Sequence, residues 1–150
     1  WSSNTYTLSS DFTIDATDNN QAILWPNPTL PPGWSYSGTA SRLTGGRFTN
    51  STGSTRLLSV LFTVIYSNPN AVAIPEIDLS IWDTTNSLRY GQFQTSLVAS
   101  AGKALVTLVG TFPLSNNASF GTFGWCSSNS FTLSTSGFGN TTQAIFNVLG

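Results

Sequence analysis

Apolar and polar residues alternate along most of the chain, and no stretch holds apolar side chains at the three- and four-residue spacing of a helix. Short β-branched and aromatic runs recur instead, separated by Gly, Pro, Asn and Ser. Eight to ten such runs, at a spacing of roughly ten residues, are typical of sandwiches and jelly rolls. The pattern therefore predicts an all-β fold, an antiparallel β-sandwich of the jelly-roll type.

The strongest run extends from Arg56 to Tyr66 and is mostly apolar on both faces, which predicts a central strand that is covered on both sides. Residues 76–83 alternate cleanly, and residues 103–112 form the second strong run. These patterns predict a core of Leu58, Val60, Phe62, Val64, Ile77, Leu79, Ile81, Val106, Leu108, Phe146 and Val148.

The length of 150 residues suits one domain, which we assign to residues 1–150, with residues 1–19 as a candidate N-terminal extension or linking strand. Hydrophobic residues make up 39% of the chain, so burial can offset the loss of chain entropy without disulfides or metal. Cys126 has no second cysteine to pair with and is expected to be a small buried hydrophobe.

Charge is scarce: only 7% of residues are charged, against about a quarter in an ordinary domain. The five basic residues are scattered, so nucleic-acid binding is not expected. The longest apolar run, residues 57–65, is too short to span a bilayer as a helix, so no membrane insertion is expected. An uncharged polar surface lowers the desolvation cost of bringing subunits together, which favours assembly over catalysis.

The absence of histidine excludes the familiar hydrolase triads and histidine-ligated metal sites. Glu76 and Asp78 share a strand face at a spacing close to that of an inverting glycosidase pair, but we interpret them as a solvated face. Calcium-type oxygen ligands occur in an early segment that matches no calcium loop: Asp11, Asp15, Asp18 and Asn19. We therefore expect no enzyme activity, no cofactor and no metal.

Aromatic side chains are the main binding candidates, since they can stack on sugars or anchor a partner. They are Trp34, Tyr36, Trp82, Tyr90 and Trp125. Three sequons make Asn50, Asn117 and Asn140 candidates for N-glycosylation. We expect recognition to use the segments 26–33, 67–75, 83–87 and 125–130.

One order of features extends from Ala22 to Leu149: an early apolar strand, a Pro/Gly loop, a short aromatic strand, a long central strand and a closing strand. The segments are Ile23-Leu24-Trp25, Leu30-Pro31-Pro32-Gly33, Trp34-Ser35-Tyr36, Leu57 to Tyr66, and Ala144 to Leu149. This order resembles the jelly-roll heads of the tumour necrosis factor and complement globular-head superfamily, a pattern shared by trimeric viral spike and fibre tips. No receptor-loop motif of the animal proteins is present, so their receptors do not carry over.

The resemblance implies a homotrimer whose subunits pack apolar sheet faces around a threefold axis. Our leading hypothesis is a surface-exposed oligomeric head or protruding domain of a viral capsid, spike or fibre. It would bind a host-surface receptor or glycan, at the virion surface or extracellularly. The alternatives are a glycosylated filament or surface-layer subunit of a prokaryote, in which residues 1–13 pair with a neighbouring subunit, and a small lectin.

Overall fold

The computed structural model describes residues 2–17, 20–26, 28–39 and 41–150, and in these ranges the chain is built from antiparallel strands. The strands are β1 (Ser2–Thr7), β2 (Phe12–Asp15), β3 (Gln21–Ala22), β4 (Trp34–Tyr36), β5 (Arg47–Asn50), β6 (Arg56–Ser67), β7 (Ile74–Asp83), β8 (Leu88–Leu97), β9 (Ala104–Leu114), β10 (Ser119–Cys126), β11 (Ser130–Leu133), β12 (Ser136–Gly137), β13 (Asn140–Thr141) and β14 (Gln143–Val148). Ten of these strands have four residues or more, and the all-β prediction is confirmed. No helix in the described ranges is long and apolar enough to cross a membrane.

Two six-stranded sheets form the sandwich, and we name them sheet A and sheet B. In sheet A, β6 pairs with β9 along one edge and with β14 and β11 along the other, and β1 and β2 extend the sheet beyond β14 and β11. In sheet B the order is β4-β5-β10-β7-β8, with β3 also paired to β10. This confirms the jelly-roll sandwich and the central place of β6.

The core lies between the inner faces of the two sheets, and most of the predicted core residues are buried in it. Phe48, Phe120 and Phe146 form an aromatic centre with ring centroids 5.2 to 5.7 Å apart. Val106 and Val148 are only partly buried, because they lie near the ends of β9 and β14. The two valines therefore pack against the core without being fully buried in it.

The N-terminal segment takes part in the fold. Strand β1 pairs with β14 of its own chain from Ser2↔Val148 to Thr7↔Gln143, and β2 pairs with β11. The structure therefore places both strands in sheet A, whereas Trp1, Asp18 and Asn19 lie outside the described residues.

We expect Phe62→Ala to lower the free energy of unfolding by about 3 to 5 kcal/mol, because the ring is fully buried and lies edge-on to Trp25 at 6.2 Å. The measurement is denaturant unfolding followed by circular dichroism. Val72→Ala, at an exposed valine, is the control and should stay within about 0.5 kcal/mol. A loss below about 1 kcal/mol for Phe62→Ala would contradict the central place of β6 in the core.

Candidate functional site

The outer face of sheet A carries no charged side chain among the described residues of β9, β6, β14 and β1. The strand register arranges this face in rows that cross the strands. The row Val109–Leu61–Ile145 is apolar, and the row Thr111–Ser59–Asn147 is polar. Further rows continue the alternation, so the face is uncharged, with apolar bands between bands of hydroxyl and amide groups.

Several apolar side chains of this face are open to solvent. Val109 is 57% exposed, and Leu57, Leu105 and Leu149 are also exposed. The face of β6 opposite the core is therefore uncovered over its first half, which corrects the prediction that both faces are covered. An exposed apolar patch on a sheet is typical of a surface that another molecule covers.

The hairpin of β12 and β13 covers the other end of this face. Ile65 is fully buried beneath it, and a Cβ atom at Gly137 would lie 3.1 Å from Ile65 Cγ2. Lys103 Nζ donates to the Ser136 carbonyl at 3.0 Å. At the tip, Phe138 has a φ of 54° and is 64% exposed, next to Gly139 at 73°. A turn with two positive φ angles favours Asn-Gly, and phenylalanine is an unusual residue at the first of these positions. Because its ring is exposed, Phe138 adds an apolar contact surface at the tip of the hairpin.

The outer face of sheet B holds a second group of polar and aromatic side chains, which we call the Asp78 cluster: Asp78, Trp82, Arg89, Gln92, Gln94 and Trp125. Asp78 Oδ2 accepts hydrogen bonds from Gln92 Nε2 at 2.8 Å and Gln94 Nε2 at 3.0 Å. Arg89 Nη1 lies 3.8 Å from the same oxygen. Asp78 Oδ1 is buried and has no hydrogen-bond partner.

Burial of Asp78 corrects the interpretation of Glu76 and Asp78 as a solvated face, since Asp78 is only 8% exposed. Two exposed glutamines on the neighbouring strand β8 bond to its carboxylate and help to cover it. Sequence analysis missed them because they are remote in sequence. A plain hairpin drawn from Asp83↔Leu88 would have placed Phe93 opposite Asp78, and it is the register shift between Ile81 and Trp82 that brings Gln94 there.

Two of the predicted aromatic candidates meet in this cluster. Trp125 lies directly opposite Asp78 across β10 and β7, which places their Cβ atoms about 5 Å apart. The Arg89 guanidinium lies 5.2 Å from the Trp82 ring centroid, and Phe123 contacts Trp82 edge-on at 5.2 Å. Both tryptophans are partly exposed, so they stay available to a ligand.

The other three aromatic candidates lie apart from the cluster. Trp34 is only 9% exposed and belongs to the core, where it contacts Phe146 at 4.9 Å, so its assignment to a binding surface is corrected. The Tyr36 hydroxyl accepts from the backbone N–H of Trp25, and burial raises its pKa. Tyr90 stacks on Phe112 at 4.2 Å.

The sequons differ in accessibility. Asn50 is fully buried, with Nδ2 donating to the carbonyls of Ser54 and Leu114 at 2.9 Å. Its Oδ1 accepts from Thr52, so the side chain closes a turn and cannot carry a glycan in the folded chain. This corrects the prediction for Asn50, whereas Asn117 and Asn140 are exposed.

The early acidic segment is held by protein contacts. Asp11 Oδ1 accepts from the Thr135 backbone N–H at 3.0 Å. Asp15 accepts from Thr17 and lies 3.6 Å from Arg42, and these contacts, with the Thr17 bond first, lower its pKa. Asp18 and Asn19 lie outside the described residues. Within the ranges that the structure describes, no group of three or more Cys, Asp or Glu side chains is placed to hold a metal ion.

The predicted recognition segments do not form one surface. Residues 68–73 and 127–129 lie at one end of the sandwich, and residues 84–87 lie at the other end, beside Ser119. Pro26 lines a separate open cleft of about 370 Å³ with Leu8, Ser9, Ser10, Phe12, Leu24 and Thr39. Asn27, in the 26–33 segment, lies outside the described residues.

The whole sandwich is similar to the solved structures of three proteins. Murine APRIL matches with a TM-score of 0.61 and 13% identity, covering 98% of each chain. Eiger TNF from S. frugiperda has a TM-score of 0.59 and 9% identity, over 99% of this chain and 92% of that one. The globular domain of zebrafish complement 1qA has a TM-score of 0.56 and 7% identity, over 99% and 97%. The chain has the TNF and complement-head fold.

The predicted resemblance is thus confirmed at the level of the TNF and complement-head fold. No family model and no curated protein sequence matches the chain. At these identities the likeness fixes the architecture, so function has to be argued from the surfaces described above.

Asn50 should carry no glycan in folded protein secreted from a glycosylating host, because its carboxamide is buried and fully bonded. Glycopeptide mass spectrometry checks this, with Asn117 and Asn140 as the exposed comparison sites in the same sample. A glycan on Asn50 of folded protein would contradict its buried role in the turn.

Cys126 should resist alkylation by iodoacetamide in the native state at pH 8. The thiol is 1% exposed, and burial, with a smaller contribution from the Asp15 charge, raises its pKa to about 11. Because a raised pKa keeps the proton on sulfur, the thiolate is a trace species until the pH approaches that value. Mass spectrometry should show modification only after unfolding. Rapid native labelling at pH 8 would show that the thiol is accessible.

Proposed function

We propose that this chain is a homotrimeric recognition head that assembles through the outer face of sheet A. The observation that carries the proposal is the uncharged, partly apolar face formed by β9, β6, β14 and β1. Burying it removes exposed leucine and valine surface from water without desolvating any charge of that face.

A threefold assembly suits an uncharged, partly apolar patch of this kind. A closed ring of three subunits uses heterologous contacts, in which one part of the patch meets a different part on the neighbour. The alternating polar bands can supply hydrogen bonds across such an interface. The TNF and complement-head fold supports the trimer further, because the resemblance seen in the sequence implies threefold packing of sheet faces.

The head would serve binding rather than catalysis. The chain has no histidine, and one of the two carboxylates that could have formed a glycosidase pair, Asp78, is buried and bonded to glutamine side chains. The partner would be a host-surface receptor or a glycan. On the resemblance to viral spike and fibre tips, the head would belong to a capsid, spike or fibre, at the virion surface or extracellularly.

Two alternative functions predict different solution behaviour. A prokaryotic filament or surface-layer subunit would form an open polymer that grows with concentration. In the structure β1 already pairs with β14 of its own chain, so one edge of that strand is occupied. A lectin would show a sugar-dependent shift in stability.

We expect light scattering after gel filtration to give three times the chain mass, independent of concentration over the micromolar range. Val109→Asp should raise the concentration at which half of the trimer dissociates at least about tenfold, because it places a carboxylate on the face that the trimer would bury. Val98→Asp is the matched control, since Val98 is exposed in the connection between β8 and β9.

Both variants should keep the β-sheet spectrum of the parent chain. A monomeric parent, or equal effects of the two substitutions, would contradict the proposed interface. An open polymer would favour the filament alternative.

A further inference from the structure

We propose that the Asp78 cluster on the outer face of sheet B is a binding site for a neutral glycan. The proposal rests on the proposed recognition function, because it names the ligand class of the head. The site lies on the sheet opposite the assembly face, so three copies would remain open in a trimer built through sheet A.

The carboxylate fixes the orientation of two exposed carboxamides. An ionised carboxylate can only accept hydrogen bonds, so Gln92 and Gln94 must both direct Nε2 towards Asp78 Oδ2. Their Oε1 atoms are then left to accept from a ligand. The two residues are two apart on β8, which puts their side chains on the same face, with Cα atoms about 7 Å apart along the strand and carboxamides that converge on Asp78 Oδ2. Such a pair of oriented acceptors suits neighbouring sugar hydroxyls.

The contacts of Asp78 leave one of its two carboxylate oxygens without a partner. Asp78 is 8% exposed, and its Oδ1 atom is buried without a partner. Leaving a buried acceptor unpaired costs stability, and replacing a buried charged pair by apolar residues is often neutral or stabilising. The Asp78 carboxylate thus holds both glutamine side chains through Oδ2 and keeps Oδ1 without a partner within the chain.

Trp125 supplies an aromatic surface beside the carboxamides. In the strand register, Trp125, Asp78 and Gln94 form one row across β10, β7 and β8, which spans about 10 Å. A sugar ring can lay its C–H face on an indole while its hydroxyls reach polar groups at the ring edge. Trp82, held between Arg89 and Phe123, bounds the site further along β7.

The local charges favour a neutral ligand. Arg89 is the basic residue of the cluster, and it lies 3.8 Å from the Asp78 carboxylate, so the pair is balanced. Glu76, on the same strand two residues before Asp78, adds a negative charge nearby. Arg47 lies beyond Trp82, across β10, and donates to the carbonyls of Gly45 and Leu43. At Asp78, Gln92 and Gln94 a sialylated or sulfated sugar would therefore meet only a cation that is already paired, whereas an uncharged sugar meets no electrostatic penalty.

The test is titration of the intact chain with lactose, maltotriose and mannotriose, followed by tryptophan fluorescence and by NMR of indole and side-chain amide groups. We expect saturable binding of at least one of these sugars, with shifts at Trp125, Gln92 and Gln94. Sialyllactose, the anionic counterpart of lactose, should bind no more tightly than lactose. Saturation by none of the three neutral sugars, shifts confined to other residues, or tighter binding of sialyllactose would each overturn the proposal.

Three variants test the assignment of residues. Trp125→Ala and the double variant Gln92→Ala plus Gln94→Ala should each weaken binding at least about tenfold. Ser96→Ala, on the same face of β8 two residues beyond Gln94, is the control and should bind as the parent does. Equal binding by the glutamine double variant and the parent would overturn the assignment.

Asp78 acts as a positioning residue, and Asp78→Asn separates that role from folding. The variant should keep the parent's circular dichroism and mass, while the Gln92 and Gln94 side-chain amide resonances move towards free glutamine values and sugar binding weakens. Unchanged amide resonances would overturn the positioning role. If the variant does not fold, the glutamine double variant still decides the proposal.

Failure of the glycan site and failure of the trimer are distinguishable. Val109→Asp should retain the parent's affinity per subunit for a monovalent sugar, because the site belongs to a single chain. A trimeric parent without sugar binding would overturn only the glycan site. A monomeric parent with sugar binding would overturn only the proposed assembly.

Discussion

The pairing of β6 with β9 is the constraint on which the rest of the sandwich depends. It extends from Arg56↔Leu114 to Tyr66↔Ala104 in one uninterrupted register. Because side chains alternate between the two faces of a strand, this register decides at once which residues enter the core and which form the outer face. Leu58, Val60 and Phe62 are thereby buried against sheet B, while Leu57 and Leu61 face outwards. A slip of one residue would exchange the two sets, so the core and the outer face of sheet A are specified together.

The outer face of sheet A alternates apolar rows with polar rows. Continuous apolar rows would invite unspecific association, since exposed flat sheets are prone to aggregate. Here Thr107–Thr63–Gln143 and Thr111–Ser59–Asn147 separate the apolar rows. Thr107 and Thr111 in these rows are exposed and can hydrogen-bond to a neighbouring subunit in the proposed assembly. The scarcity of charge in the sequence is therefore evident on this face, where the described residues of β9, β6, β14 and β1 carry no charged side chain.

The sequence predicted the features that depend on periodicity along a single strand. It placed β6, β7 and β9 within two residues of their observed bounds, because period-two alternation over long strands is a strong signal. It missed features that depend on neighbours from other strands. Asp78 looked solvated because Gln92 and Gln94 reach it only across β7 and β8. The Asn50 sequon looked accessible because its partner Leu114 is remote in sequence. Trp34 lies at the end of a short strand whose burial depends on Phe146 from β14.

The two outer faces carry different chemistry, and the difference bears on how such a head could work. An uncharged face can be covered at little electrostatic cost, whereas the Asp78 cluster keeps fixed carboxamides and partly exposed tryptophans on the other sheet. Contacts of a single sugar with a shallow site are weak, because few groups are buried and water competes for each hydrogen bond. Assembly would compensate for this weakness. Three sites held at fixed separations make the second and third contacts intramolecular, so avidity can exceed the single-site affinity by about a hundredfold or more when the spacing of the glycans allows. On this argument the uncharged face of sheet A matters to recognition as much as the cluster on sheet B, since it sets the number and the separation of the sites.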